Sequence, residues 1–221
     1  MPTIEVATPL GPSRLTLALA ADPRATLLLG HGTGGGIDAF DLSCLAKELP
    51  ARGISVVRHE QPWRVAGKRI AARPEVLNQG WRPAVDRVLA DYPGVPLWVG
   101  GRSTGARAAC RCFDQRQSGV ICLAFPLHPP GRPEVSRIAE LAAVSGPVLV
   151  VQGERDPFGS PQDVIEAAGA AGGAQPTVVA VPGSHSFGPR SMADRAKATH
   201  LRRTLVDAVA GFVLDPHQPA P

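Results

Sequence analysis

A chain of 221 residues, 44% hydrophobic and 19% charged, can bury a core without disulfides or a structural metal, because at this size folding hides roughly 70% of the unfolded surface. The net charge of +4 comes almost wholly from arginines scattered among acidic residues, and aromatics are only 5%; with no basic run interleaved with aromatics, nucleic-acid binding is not expected. No apolar run approaches the ~20 residues of a spanning helix and no basic-then-apolar leader is present, so no membrane association is expected and a cytoplasmic location is.

Thr3–Val6 and Leu15–Leu19 alternate apolar with small or polar residues, and Pro9, Gly11 and Pro12 between them predict a hairpin. The apolar run Ala25–Leu29 ends in a glycine-rich turn, Gly30 to Gly36. Ile37–Arg52 has helical spacing, with Asp38 as the expected cap. A strand at Ile54–Val57 precedes a charged loop, Arg58 to Arg69. Glu75–Tyr92 is predicted helical despite Pro83. A strand at Leu97–Val99 is followed by a helix at Ser103–Arg116, then by a strand at Val120–Phe125 and a proline-rich connection. The remaining predicted elements are a helix at Val135–Val144, a strand at Val148–Val151, a helix at Asp163–Ala171, a strand at Thr177–Val181 and a helix at Ser191–Val213. Strands alternating with amphipathic helices after a hairpin predict an α/β fold, with a mostly parallel sheet, helices on both faces and one antiparallel edge. One domain is expected over residues 1–214, with an unpacked tail over 215–221. The four cysteines, Cys44, Cys110, Cys112 and Cys122, have no zinc-like spacing and read as buried reduced thiols; no metal or cofactor is expected.

In such sheets ligands bind beyond the carboxyl ends of the strands. Gly101-Arg102-Ser103-Thr104-Gly105 matches G-x-S-x-G between a strand and a helix. A sharp turn there strains the serine backbone, lifts its hydroxyl clear of the sheet, and needs small neighbours. A serine that merely caps a helix would fit the same five residues. A nucleophilic serine also needs a base and an acid, in the chain order Ser, Asp or Glu, His. Asp156 follows the Val148–Val151 strand and His185 follows the Thr177–Val181 strand, both at carboxyl ends and in that order. Read singly, Asp156 before Pro157 is a turn residue and His185 a loop histidine; together with Ser103 they form a candidate triad. The backbone N–H groups of Thr104 and Thr33 are the candidate donors to a developing oxyanion, and His31 is expected to brace the glycine turn rather than act as base. The same turn could cradle a phosphate, but it lacks the P-loop Lys-Ser/Thr pair and the G-x-G-x-x-G spacing.

With "GHGTGGG", "GGRSTGAR", "GERDPFG" and "PGSHSF" in this order, the sequence resembles the alpha/beta-hydrolase superfamily. It looks most similar to small, lidless bacterial hydrolase-like proteins related to dienelactone hydrolases. "EQPWRVAGKR" and "FPLHPPGRPE" also resemble that group, and the likeness runs roughly from Thr3 to Val213. It implies a twisted sheet of about seven to eight strands with a minimal cap. It further implies Ser103 as nucleophile, Asp156 as acid, His185 as base, and hydrolysis of an ester-like acyl bond. Dienelactone hydrolases proper use a cysteine where this chain has Ser103, so their substrate is not carried over.

The short connection between Phe125 and Val148 leaves little room for a lid and favours small acyl groups. The expected substrate-binding residues are His31, Gly32 and Gly34 of the turn, Arg102 beside the nucleophile, Trp63 and Arg64, and Leu127 with His128 along one wall. Arg58, His59, Trp63, Arg64, Lys68 and Arg69 are expected near the mouth, where they would recognise a carboxylate or phosphate unless they form a solvated basic loop. The expected partner is a small-molecule ester, anionic esters included. Two readings of other classes stand beside the serine hydrolase: a non-catalytic scaffold on this fold, and a small-molecule sensor.

Overall fold

The computed structural model describes residues 1–68, 73–173, 175–188 and 195–215. Its eight strands are β1 (Thr3–Val6), β2 (Ser13–Ala18), β3 (Ala25–Gly30), β4 (Ile54–Glu60), β5 (Leu97–Arg102), β6 (Gly119–Leu123), β7 (Val148–Gly153) and β8 (Thr177–Val181). They form one sheet in the order β1-β2-β4-β3-β5-β6-β7-β8. β1 pairs antiparallel with β2 and β2 with β4, and every later pairing is parallel. The helices are α1 (Phe40–Glu48), α2 (Pro62–Val65), α3 (Pro74–Asp91), α4 (Thr104–Cys112), α5 (Ile138–Ala142), α6 (Pro161–Ala171) and α7 (Arg195–Leu214).

Successive strand residues point to opposite faces, so each central strand feeds two cores. Leu27 and Leu29 of β3 join Leu42 and Leu45 of α1 and Leu205 and Val209 of α7. Leu28, between them, joins Trp81 and Val85 of α3 and Ala106 and Ala109 of α4. Both faces are covered, which is why the inner strands read as continuous apolar runs rather than alternating ones. All four cysteines are buried free thiols, and burial pushes Cys44 up to about 11. Among the described residues no helix is long and apolar enough to cross a membrane.

The largest departure from the sequence reading is β4. It continues through Arg58, His59 and Glu60, because both of its edges are paired there: His59 lies opposite Leu15 on β2 and Gly30 on β3. Arg58 tolerates this position by extending its stem so that the guanidinium reaches the Ile37 carbonyl at 2.8 Å and the Asp38 carboxylate at 3.2 Å. Asp38 is therefore an ion-pair partner and not a helix cap; α1 starts at Phe40 with no side-chain cap. α4 stops at Cys112, ahead of the Arg116 expected, because Asp114 and Gln117 close a turn on backbone and side-chain bonds of their own. α5 spans only Ile138–Ala142 of the longer helix expected. Arg69, residues 191–194 and the tail beyond Asp215 lie outside the described residues.

His59 is fully buried against the edge of Trp81, at 5.5 Å between ring centroids, and neither ring nitrogen has a hydrogen-bond partner. Burial, with a smaller contribution from His31, lowers its pKa to about 3. The unfolded chain takes up this proton near ~6.5, while the folded chain resists until far lower pH. Unfolding therefore binds protons in that window, and stability falls as pH falls from about 6.5 towards 3. His31, also buried with a lowered pKa, acts in the same direction. Thermal and urea melts between pH 7 and pH 4 are expected to show this acid loss, and His59→Leu to remove on the order of 3 kcal/mol of it at pH 4.

Candidate active site

The site begins where β5 becomes α4. Ser103 has φ 50° and ψ −110°, a left-handed backbone rarely adopted by a residue with a Cβ. Such a conformation costs about 1–3 kcal/mol and needs support from its surroundings. The support is visible: the Ser103 N–H donates to the Leu123 carbonyl at 2.9 Å, and the Ser103 carbonyl accepts from the Arg107 N–H at 3.2 Å. The start of α4 lies directly on the end of β3, and a Cβ at Gly105 would run into the Gly30 carbonyl. The small residues around the serine are what allow this contact.

Two further loops converge on that hydroxyl. Asp156 sits in the turn after β7, its N–H on the Gly153 carbonyl at 3.1 Å. One carboxylate oxygen accepts from the Phe158 N–H at 2.9 Å, and the other accepts from Gln152 Nε2 at 3.1 Å. Gln152 is fully buried and also bonds both backbone groups of Phe125 and the Gly159 carbonyl, so it ties the loops after β6 and β7 to one point. His185, after β8, donates from Nδ1 to Asp156 Oδ2 at 2.7 Å, and its Nε2 accepts from Ser103 Oγ at 2.9 Å. This assignment follows from the carboxylate, which can only accept while ionised. The Phe158 ring meets the imidazole edge-on at 4.6 Å and limits its rotation.

Arg102 braces the histidine loop from below. Its guanidinium donates to the His185 carbonyl and to the fully buried Asp41 carboxylate of α1, at 2.6 Å for the latter, and packs on the Phe187 ring at 5.5 Å. The position before Ser103 thus connects α1, β5 and the loop after β8. On the other side, the hydroxyls of Thr33 and Thr104 hydrogen-bond at 2.8 Å, joining the glycine turn after β3 to the first turn of α4. His31 lies beneath that turn, 2% exposed. Its Nδ1 donates to the Gly32 carbonyl at 2.9 Å, its Nε2 accepts from the Gln61 N–H at 3.3 Å, and its ring lies 5.3 Å from Trp63.

A cleft of about 660 Å³ opens above Ser103. Thr33, Gly34, Arg102, Thr104 and His185, all singled out from the sequence, line it; Asp156 lies behind the imidazole. The other expected binding residues do not reach its wall. Gly32 packs against Arg102 and the Ser103 Cβ, Trp63 is buried on His31, Leu127 lies in the core beside Gly159, and His128 bonds the Val135 carbonyl. Arg64 stands beside Gly36 at the outer end of the glycine turn. Of the cluster expected from Arg58 to Arg69, the described members do not line the cleft, and Arg58 and His59 are inside the sheet. Among the described residues the arginines that line it are Arg102, Arg107, Arg111 and Arg137. Arg107 and Arg111 follow Ser103 at steps of four, so helical spacing alone could have placed them on the serine's side of α4. No local pattern points to Gln152, Asp41 or Arg137. Among the described residues no group of three or more His, Cys, Asp or Glu side chains is gathered that could hold a metal ion.

A family profile described as an alpha/beta hydrolase domain matches residues 23–214. An alpha/beta serine hydrolase without a lid from Xanthomonas campestris is similar in structure, with 25% identity and a TM-score of 0.73 over 99% of this chain and 96% of that one. An alpha-beta serine hydrolase homologue from Coxiella burnetii shares 21% identity with a TM-score of 0.75, covering 93% and 95% of the two chains. A cold-adapted esterase from an Arctic intertidal metagenomic library shares 19% identity with a TM-score of 0.64, covering 91% and 92%.

Proposed function

The chain belongs to the alpha/beta hydrolase family, and from that premise we propose that it is a serine hydrolase cleaving small ester-like acyl bonds through an acyl-enzyme. The observation that carries the reading is the unbroken hydrogen-bonded chain from Ser103 Oγ through the imidazole of His185 to the buried carboxylate of Asp156. With its Nδ1–H held by Asp156, the neutral imidazole presents the Nε2 lone pair to the serine hydroxyl. His185 takes that proton as Ser103 Oγ attacks the substrate carbonyl. The tetrahedral oxyanion is held by the backbone N–H groups of Thr104 and Thr33. Thr104 opens α4, so its N–H has no intrahelical carbonyl to bond. The bond between the two threonine hydroxyls keeps both turns at the same spot. His185 then returns the proton to the leaving alkoxide, and the alcohol departs. Water enters, loses a proton to His185, attacks the acyl-serine, and the acid leaves as Ser103 regains its proton.

The test is covalent labelling. An alkyl-fluorophosphonate is expected to modify Ser103, with labelling abolished in Ser103→Ala and sharply reduced in His185→Ala, read by peptide mass. Labelling unchanged in His185→Ala would show that the base is another residue. Labelling without turnover of any member of a small ester panel would favour a sensor that traps its ligand.

A further inference from the structure

One wall of the cleft carries more positive charge than the described residues neutralise. Arg107 and Arg111 of α4 share a single carboxylate, Glu140 of α5: Arg107 through Nε at 2.8 Å and Nη2 at 2.6 Å, Arg111 through Nη1 at 3.2 Å. Arg111 also donates through Nε to Asn78 Oδ1 and through Nη2 to the Pro74 carbonyl. Arg137, at the start of α5, has no carboxylate within ion-pair distance among the described residues. Its Nη1 donates to the Pro126 and His128 carbonyls at 3.1 and 3.2 Å, while Nε and Nη2 make no hydrogen bond within the described protein. The edge left open is the one with two parallel N–H groups, spaced to meet both oxygens of a carboxylate or two of a phosphate. The neighbourhood also works against the charge it holds: burial, then Arg107, lowers the Arg137 pKa. An anion entering the cleft would relieve that repulsion and pair the free edge.

We propose that this cleft selects esters bearing a terminal anionic oxygen group, a carboxylate or phosphate, and that Arg137 is the residue that takes it. Residues Arg107 and Arg111 stand one and two steps of four beyond Ser103, so the cationic wall runs about 6 to 12 Å along the α4 axis from the nucleophile. A short acyl chain attacked at Ser103 therefore carries its far end to the arginines. Among the described residues no carboxylate lines the cleft to oppose it: Asp41 and Glu140 are engaged with Arg102, Arg107 and Arg111, and Asp156 lies behind His185. The proposal rests on the serine-hydrolase reading for the bond that is cut, but not for the anion it binds.

The experiment therefore has a catalytic arm and a binding arm. The first compares kcat/KM for the para-nitrophenyl half-ester of glutaric acid with a neutral isostere in which an isopropyl group replaces the free carboxylate. The wild-type protein is expected to prefer the half-ester at least tenfold. Arg137→Gln is expected to cut that preference roughly 10- to 100-fold, the range of a lost charge-assisted hydrogen-bond pair, and Arg137→Lys to retain part of it. In the second arm, glutarate and inorganic phosphate are titrated by calorimetry into Ser103→Ala and into Ser103→Ala/Arg137→Gln. Binding that needs Arg137 supports the proposal, and the stronger of the two anions identifies the group recognised. Equal turnover of both esters by the wild type, together with no anion binding to Ser103→Ala, overturns it, and that result does not depend on any Arg137 variant folding. Failure of Ser103 to label or turn over either ester, with Arg137-dependent anion binding intact, would instead sink the acyl-transfer reading and leave the anion site standing.

Discussion

Alanine at His185 is expected to lower kcat on a small ester by about a millionfold, and the double variant Ser103→Ala/His185→Ala to be no slower than either single one. The imidazole is the one side chain hydrogen-bonded to Ser103 Oγ among the described residues. Without it the hydroxyl has no acceptor for its proton, and a serine carrying its proton is a poor nucleophile at neutral pH. In the proposed triad the serine and the imidazole act as a unit, so removing the second costs nothing more once the first is gone. The residual rate would come from the proposed backbone donors at Thr104 and Thr33, which neither substitution removes. Steady-state kinetics on all three variants, with melting curves to verify folding, decide the matter. A His185→Ala enzyme within a hundredfold of wild type would mean that the proton leaves by another route.

Asp156→Asn is the second large effect, about 10⁴-fold in kcat with little change in fold. The surroundings of Asp156 explain why the amide cannot substitute. One oxygen position faces the Phe158 N–H, and the other faces both Gln152 Nε2 and His185 Nδ1. All three are donors with the ring in its working tautomer, and a carboxylate can accept from all three. An asparagine must point its own NH₂ at one of these positions. Towards Phe158 it sets two donors against each other. Towards Gln152 and His185 it does the same at Gln152, and it favours the tautomer with the proton on Nε2, which cannot accept from Ser103. Either arrangement leaves a buried donor unpaired, typically worth ~1–3 kcal/mol. A pH–rate profile and an NMR signal for the Nδ1 proton separate the tautomer effect from simple loss of structure. Retention of full kcat in this variant would remove Asp156 from the mechanism.

These two substitutions test residues that were visible in the chain itself. Gly101 to Gly105 gave themselves away because a strand-to-helix turn around a serine needs small neighbours, and that demand is local. Asp156 and His185 were visible because both follow apolar strand runs, and carboxyl ends of parallel strands share one rim. Thr33 stood out because a glycine-rich segment directly after a strand brings backbone close to whatever binds there. The two-sided core was equally legible: Leu27 to Leu29 can be continuously apolar only if both faces of the sheet are covered.

Arg58 and His59 show where such reading stops. Charge in a run predicts a loop because isolated charge avoids burial, yet β4 is gripped on both edges and carries these residues into the sheet. That outcome depends on β2 and β3, whose positions no window around residue 58 contains. The arginines that line the cleft are of the same kind. Arginine composition was plain, but which guanidinium is neutralised and which is left open depends on carboxylates remote in the chain, such as Glu140 for Arg107 and Asp41 for Arg102.

What the sequence determined by itself was therefore the alternation of strands and helices, the strained serine turn and the order of the three polar groups that follow it. Periodicity and backbone strain are properties of adjacent residues and can be read without knowing the fold. Only the tertiary structure decided which charges face the cleft and which are spent on one another. Ion pairing depends on distance in space, and the strand order β2-β4-β3-β5 makes neighbours of segments that the chain keeps far apart.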